Sequence, residues 1–168
     1  MELNEMKDLL EHEVRDILYA ERKIVKALPK MANAATNPKL KKAFEDHLEE
    51  THGQIERLEK VCEHLGIGAR GEKCEAIEGL LDEGEERIKA KGDGAVIDAA
   101  LISAAQRVEH YEMAAYGSAR TFAESLGMTE VVSLLQETLD QEGNADKTLN
   151  KLALNTINPQ ATKGTAKV

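Results

Sequence analysis

Glu109 and Glu112 stand three residues apart in QRVEHYEMAAYGSAR (106–120), whose alanines, valine and methionine otherwise describe the inner face of a helix. Residues three apart are neighbours on one helical face. Glu112 is ringed at helical spacing by Ala105, Val108, Ala115, Tyr116 and Ala119, and Glu109 by Ala105, Gln106, Met113 and Tyr116. Other carboxylates sit in similar company. Glu21 has Ile17 and Leu18 one turn before it and Ile24 and Val25 one turn after. Glu142 lies between Thr138 and Ala145, with Leu135 and Leu149 beyond. Glu50 shares an edge with Ala43, His47, Gln54 and Val61. His47 falls on a seam with Phe44 and Thr51, and Asp146 follows Glu142 by one turn. The bland alternatives are edge-facing carboxylates that snorkel to solvent, a satisfied core histidine at 47 and a rim carboxylate at 146.

Burying an unpaired carboxylate costs several kcal/mol, and a like charge beside it makes ionisation harder still. The nearest basic candidates for compensation are Arg57 and Arg107. Two metal ions would neutralise such a cluster, and carboxylates with imidazole suit iron, with manganese as the other choice. The expected ligand set is Glu21, His47, Glu50, Glu109, Glu112, Glu142 and Asp146. A more obvious pair, Glu49-x-x-His52, is rejected because it shares its face with Lys42, Glu45, Asp46, Glu56, Glu59 and Lys60. Tyr111 and Tyr116 flank the cluster; either could bond a ligating carboxylate, and either could simply pack.

Four long segments with helical periodicity must position these groups, over about 3–35, 37–65, 93–126 and 129–155. Asn37-Pro38 and Thr129 read as helix starts, Leu65-Gly66 and Leu126-Gly127 as stops, and Pro29 as a kink. The helix midpoints fall near 19, 51, 110 and 142, so the carboxylates all lie within a turn of mid-height. Short links make each pair antiparallel, while 66–92 is long enough to cross the molecule and contains a short helix in EAIEGLLDEGEERI (75–88). Two hairpins joined by a long crossover form the ferritin-like, all-α, antiparallel four-helix arrangement. The bundle is expected over 1–158, and 159–168, which lacks an apolar pattern, is expected to be unstructured.

At 168 residues the chain suits one domain, and with 42% apolar but only 3% aromatic residues its core must be built from Leu, Ala, Ile, Val and Met. A net charge of −9 disfavours nucleic acid as a partner. No apolar run approaches the roughly 18 residues that span a bilayer, and the N-terminus lacks signal-peptide character, so a cytoplasmic protein without a membrane partner is expected. Cys62 and Cys74 form no metal-binding spacing and are expected to be reduced structural thiols.

The runs DILYAERKIVKALPKMANAA (16–35), FEDHLEETHGQIERLE (44–59), KCEAIEGLL (73–81) and AAQRVEHYEMAAYG (104–117) resemble, in order, the YciE/YciF family of bacterial stress-associated, ferritin-like proteins. The resemblance covers nearly the whole chain except the tail. It implies a ferritin-like bundle with an extra short helix, a homodimer and a dinuclear metal site. More distant ferritins and rubrerythrins place a Glu on the first helix, matched by Glu21, and a Glu-x-x-Glu on the third, matched by Glu109 and Glu112. They also place Glu-x-x-His on the second helix and a carboxylate motif on the fourth. Gly53 follows Glu50 and Ala145 follows Glu142 where histidines would stand. That points either to a carboxylate-rich site or to His47 and Asp146 serving from the other direction. Three functions follow: a di-iron or iron/manganese protein that oxidises ferrous iron or consumes peroxide, with peroxide or oxygen as small oxidant; a metal-binding structural or interaction protein without turnover; or a bundle that serves as an interaction module with its carboxylates protonated.

Overall fold

The computed structural model describes residues 2–163, and among them helices are the only regular elements. The helices are α1 (Met6–Ala34), α2 (Pro38–Leu65), α3 (Glu75–Ile88), α4 (Gly94–Ser125) and α5 (Thr129–Leu152), then a π-helical turn (Ala153–Ile157) and α6 (Asn158–Lys163). Local chemistry accounts for most boundaries. The Asn37 side chain accepts from Lys39 N at 2.9 Å ahead of Pro38, whose missing N–H is no loss in a first turn. Gly66 closes α2 at a φ of 72°, where a side chain would be strained. Asp93 caps α4 through Ala95 N at 2.9 Å. The fourth long helix departs from the expected start: Met128, not Thr129, occupies the cap position, and no side chain caps it. α1 runs unbroken through Pro29.

Short connections fold α1 against α2 and α4 against α5, and the two pairs meet through α2 with α5 and α1 with α4. The crossover helix α3 lies over α4 and α1. The first connection is fastened from the opposite pair. Asp98 on α4 is buried and accepts from Thr36 N at 2.8 Å, Thr36 Oγ1 at 2.7 Å and Asn37 N at 2.9 Å. The crossover is held to α1 where Glu72 N donates to Arg15 O at 3.0 Å, and a Cβ on Gly71 would lie 2.9 Å from the Tyr19 backbone. Both cysteines are free and buried. Instead of an unstructured stretch from 159, the chain passes from the π-helical turn, which buries Ala153 and Ile157, into α6. Residues 164–168 of the expected tail lie outside the described residues.

The buried apolar residues fall into two clusters. One contains Ala20, Ile24, Leu28, Phe44, Leu101, Ala105 and Leu149; the other contains Leu10, Ile17, Leu18, Leu58, Tyr116, Ala119 and Leu135. Between them in every long helix lies a buried polar stretch: Glu21 in α1, His47, Thr51 and Gln54 in α2, Glu109 and Glu112 in α4, and Thr138 and Glu142 in α5. The core is therefore apolar, polar, apolar along its length.

Candidate metal centre

The inward row of α2 carries Phe44, His47, Thr51, Gln54 and Leu58 at alternating steps of three and four. His47 stands on that row with its imidazole against carboxylates from the facing helices, and Thr51 Oγ1 donates to its backbone carbonyl at 2.8 Å. His47 Nε2 lies 3.5 Å from Glu109 Oε1 and 3.8 Å from Glu142 Oε2. With Glu112, these residues each present one nitrogen or oxygen so that all four atoms lie within 4.8 Å of one another. His47 is 7% exposed and the three glutamates 3% or less. One imidazole and three carboxylates is a donor set suited to iron or manganese.

The hydrogen bonds leave this set largely unpartnered. Both oxygens of Glu112, Oε2 of Glu109, Oε2 of Glu142, Oε2 of Glu21 and Nδ1 of His47 are buried without a hydrogen-bond partner. Gln54 Oε1 is a seventh such atom in the same layer, and native interiors contain few of them, so the group calls for an explanation. The remaining oxygens are oriented: Tyr116 OH donates to Glu21 Oε1, and Gln54 Nε2 donates to Glu142 Oε1. Gln54 is itself steered by Gln141 Oε1, which also accepts from Arg57 Nη2. Arg57 further donates from Nε to Thr138 Oγ1 at 3.0 Å and pairs with Glu137 at 2.9 Å. Arg57 is thus the one expected counter-charge that reaches the polar layer, whereas Arg107 turns outward to Glu83.

Burial raises the carboxyl groups of Glu21, Glu109 and Glu112 well above the ordinary carboxylate range. The Glu142 charge is the next cause in all three. Tyr116 and Arg57 offset part of the rise at Glu21, while Glu112 has no compensating partner. Tyr116 is likewise raised, by burial first and then by the Glu21 charge.

Five of the seven sequence-predicted residues, Glu21, His47, Glu109, Glu112 and Glu142, meet in the buried layer. The other two stand at its margin. Glu50 is exposed, with a side chain 46% accessible and Oε2 3.6 Å from His47 Nδ1. Asp146 is turned toward α4, where it accepts from Gln106 Nε2 at 2.9 Å and lies 3.3 Å from His110 Nε2. Four residues beyond Glu142 is about 40° of helix rotation, enough to carry it off the inward face. Glu49 and His52, the rejected pair, are both exposed. Of the two tyrosines, Tyr116 bonds a cluster carboxylate, while Tyr111 bonds Asp16 at 2.7 Å and Cys74 at 3.2 Å. Gln54 was not among the expected site residues. Its signal was its place on the row, three residues after Thr51.

Residues 5–162 match the family described as Domain of unknown function (DUF892). The chain belongs to the DUF892 family. Protein YciF of Escherichia coli (strain K12) is 45% identical over 162 residues, covering 96% of this chain and 98% of that one. The crystal structure of the E. coli stress protein YciF superposes with a TM-score of 0.89 at 45% identity, covering 93% of this DUF892 chain and 99% of that one. A Rhodopseudomonas palustris protein, YcfI, provisionally described as structural, gives 0.86 at 46% identity over 89% and 95% of the two chains. The resemblance to the YciE/YciF family is thereby shown, together with the all-helical fold. No helix among the described residues is long and apolar enough to cross a membrane.

Proposed function

We propose that this DUF892 protein is a metal-binding, ferritin-like bundle in which His47, Glu109, Glu112 and Glu142 hold a first ion and Glu21, beside Glu142 in the same buried layer, serves a second. The observation that carries the reading is the convergence of four buried donor atoms within 4.8 Å, from residues that each keep at least one buried nitrogen or oxygen without a hydrogen-bond partner in the protein. Iron or manganese would supply one-electron redox chemistry and charge neutralisation there. The chain's own residues do the rest. Gln54 fixes the rotamer of Glu142, Tyr116 fixes Glu21, and the apolar layers above and below exclude bulk water. Oxidation of ferrous iron or consumption of peroxide in a stress setting is the form of activity we favour, supported by the description of YciF as a stress protein. The protein is read as a cytoplasmic homodimer.

A second reading keeps the ions as staples without turnover, and the description of YcfI as structural favours it. Metal analysis of the purified protein followed by stopped-flow spectra after ferrous iron and peroxide separates the two. Two bound metals with a transient oxidised species support the redox reading, and bound metals without oxidation support the staple. A protein that binds no metal and keeps its melting temperature in chelator would overturn both.

A further inference from the structure

His47 faces two ways. Its Nε2 is turned to the buried carboxylates, 3.5 Å from Glu109 Oε1 and 3.8 Å from Glu142 Oε2, whereas its Nδ1 lies 3.6 Å from Oε2 of the exposed Glu50. The imidazole therefore stands between the cluster and solvent. On its solvent side a cavity of about 200 Å³ opens between α2 and α5. Asp46 and Glu50 line it from α2, Asn144 and Thr148 from α5, and His47 and Glu109 lie at its inner end. Those last two are 7% and 3% exposed, and His47 Nδ1 and Glu109 Oε2 are buried without hydrogen-bond partners.

The size and lining of this cavity suit a hydrated divalent ion. At about 30 Å³ each it holds about six waters, an octahedral shell. Asp46 is paired with Lys42 at 2.8 Å, while Glu50 has no lysine or arginine partner among the described residues, so the unbalanced negative charge at the mouth is that of Glu50. A second cavity, beneath α3, reaches the same His47 and Glu109. It has only about 50 Å³, and Ile24, Leu28, Met31 and Leu80 would strip an ion of its water with nothing to replace it. The polar side is the one a cation can use.

We propose that the cavity between α2 and α5 is the entry path of a divalent cation to the buried layer, with the Glu50 carboxylate and His47 Nδ1 as a transient station from which the ion passes inward to Glu109 and Glu142. The inference rests on the metal-binding reading and adds where the ion enters and which residue first takes it from water. Each inward step exchanges bound water for a protein oxygen or nitrogen, and no electron moves. Exposure makes Glu50 a poor permanent ligand and a suitable first one.

The test follows Co2+, a stand-in for ferrous iron that stays divalent, into the full-length metal-free protein. The chain has three tyrosines and no tryptophan, and Tyr116 bonds Glu21 in the layer, so stopped-flow quenching of tyrosine fluorescence reports arrival. Ala145→Leu narrows the cavity from α5 and should slow entry and release alike, about tenfold, with Kd held within about threefold, because a group on the path changes the barrier and not the end state. Thr148→Leu, at an exposed position, should act in the same direction if the first variant folds poorly. Ala27→Leu, in the cavity beneath α3, is the control and should leave the rate within about twofold. Glu50→Gln should slow entry about fivefold at low salt and less than about twofold in about 0.5 M salt, and Glu50→Asp should recover most of the rate. Normal entry in both α5 variants, or slowing by Ala27→Leu instead, would overturn the path. A Glu50→Gln protein that takes up the ion at the normal rate and only releases it faster would overturn the station. If the unmodified protein binds no Co2+ in equilibrium dialysis, the metal-binding reading falls and the path falls with it.

Discussion

Glu112→Leu should move stability in opposite directions with and without metal. Glu112 is 1% exposed, both of its oxygens lack partners, and its carboxyl is raised by burial and by the Glu142, Glu21 and Glu109 charges with nothing to offset them. Replacing such a group with a hydrophobic residue of similar volume removes a desolvation penalty, and comparable changes stabilise by about 1–4 kcal/mol. Taking about 2 kcal/mol, the metal-free variant should melt about 4–8 °C above the unmodified protein at neutral pH, given about 2–4 °C per kcal/mol for a chain of this size. The unmodified protein, however, should gain about 2.7 kcal/mol from an ion at a hundred times its Kd, and the variant little or nothing. Thermal unfolding followed by circular dichroism at 222 nm, in chelator and then in manganese or anaerobic ferrous iron, should therefore show the order of melting temperatures narrowing or reversing on metal addition. A Glu49→Ala control, on the exposed face, should respond to metal as the unmodified protein does. If Glu112→Leu melts below the unmodified protein in chelator, the carboxyl is compensated in the fold and the reasoning fails. Equal metal stabilisation of both proteins would remove Glu112 from the site.

The metal-free protein should lose stability as pH rises. Folded values of Glu21, Glu109 and Glu112 lie above the unfolded value of about 4.3, so their contribution is complete below that pH and is lost as pH climbs through the raised values. The difference in melting temperature between Glu112→Leu and the unmodified protein should grow over the same interval. Gln54→Leu strips Glu142 of its donor and should cost about 1–3 kcal/mol in urea unfolding; no loss would mean that the amide does not hold Glu142. Asp98→Ala removes three hydrogen bonds from the α1–α2 connection and should cost about 3 kcal/mol while leaving metal affinity unchanged, which separates a structural carboxylate from the cluster.

Most of this was legible because helical periodicity reports facing directly. A carboxylate with leucines or alanines one turn either side, such as Glu21 or Glu142, has no other face to occupy, and the same rule correctly set Glu49 and His52 outside. Where the rule blurred was at the edge of the stripe. Glu50 and Asp146 lie one step round from His47 and Glu142, and their direction is decided by partners on neighbouring helices, Gln106 and His110 in the case of Asp146, that a single helix does not reveal. Gln54 was overlooked for a different reason. An amide adds no formal charge and raises no question of compensation, although its place on the row was visible. α6 was hidden because none of its residues is buried, so the stretch from 159 carries no apolar pattern to read.

The polar slab between two apolar clusters also fixes how the helices may be threaded past one another. Leucine-rich seams are repetitive, and a slip of one turn, about 5.4 Å, often finds another acceptable fit. Here such a slip would push Glu21 or Glu142 among leucines and draw Leu18 or Leu135 among carboxylates, on any helix that moved. The glutamates that make the interior costly therefore leave a single axial alignment open, a vernier mark cut across all four long helices at the same height.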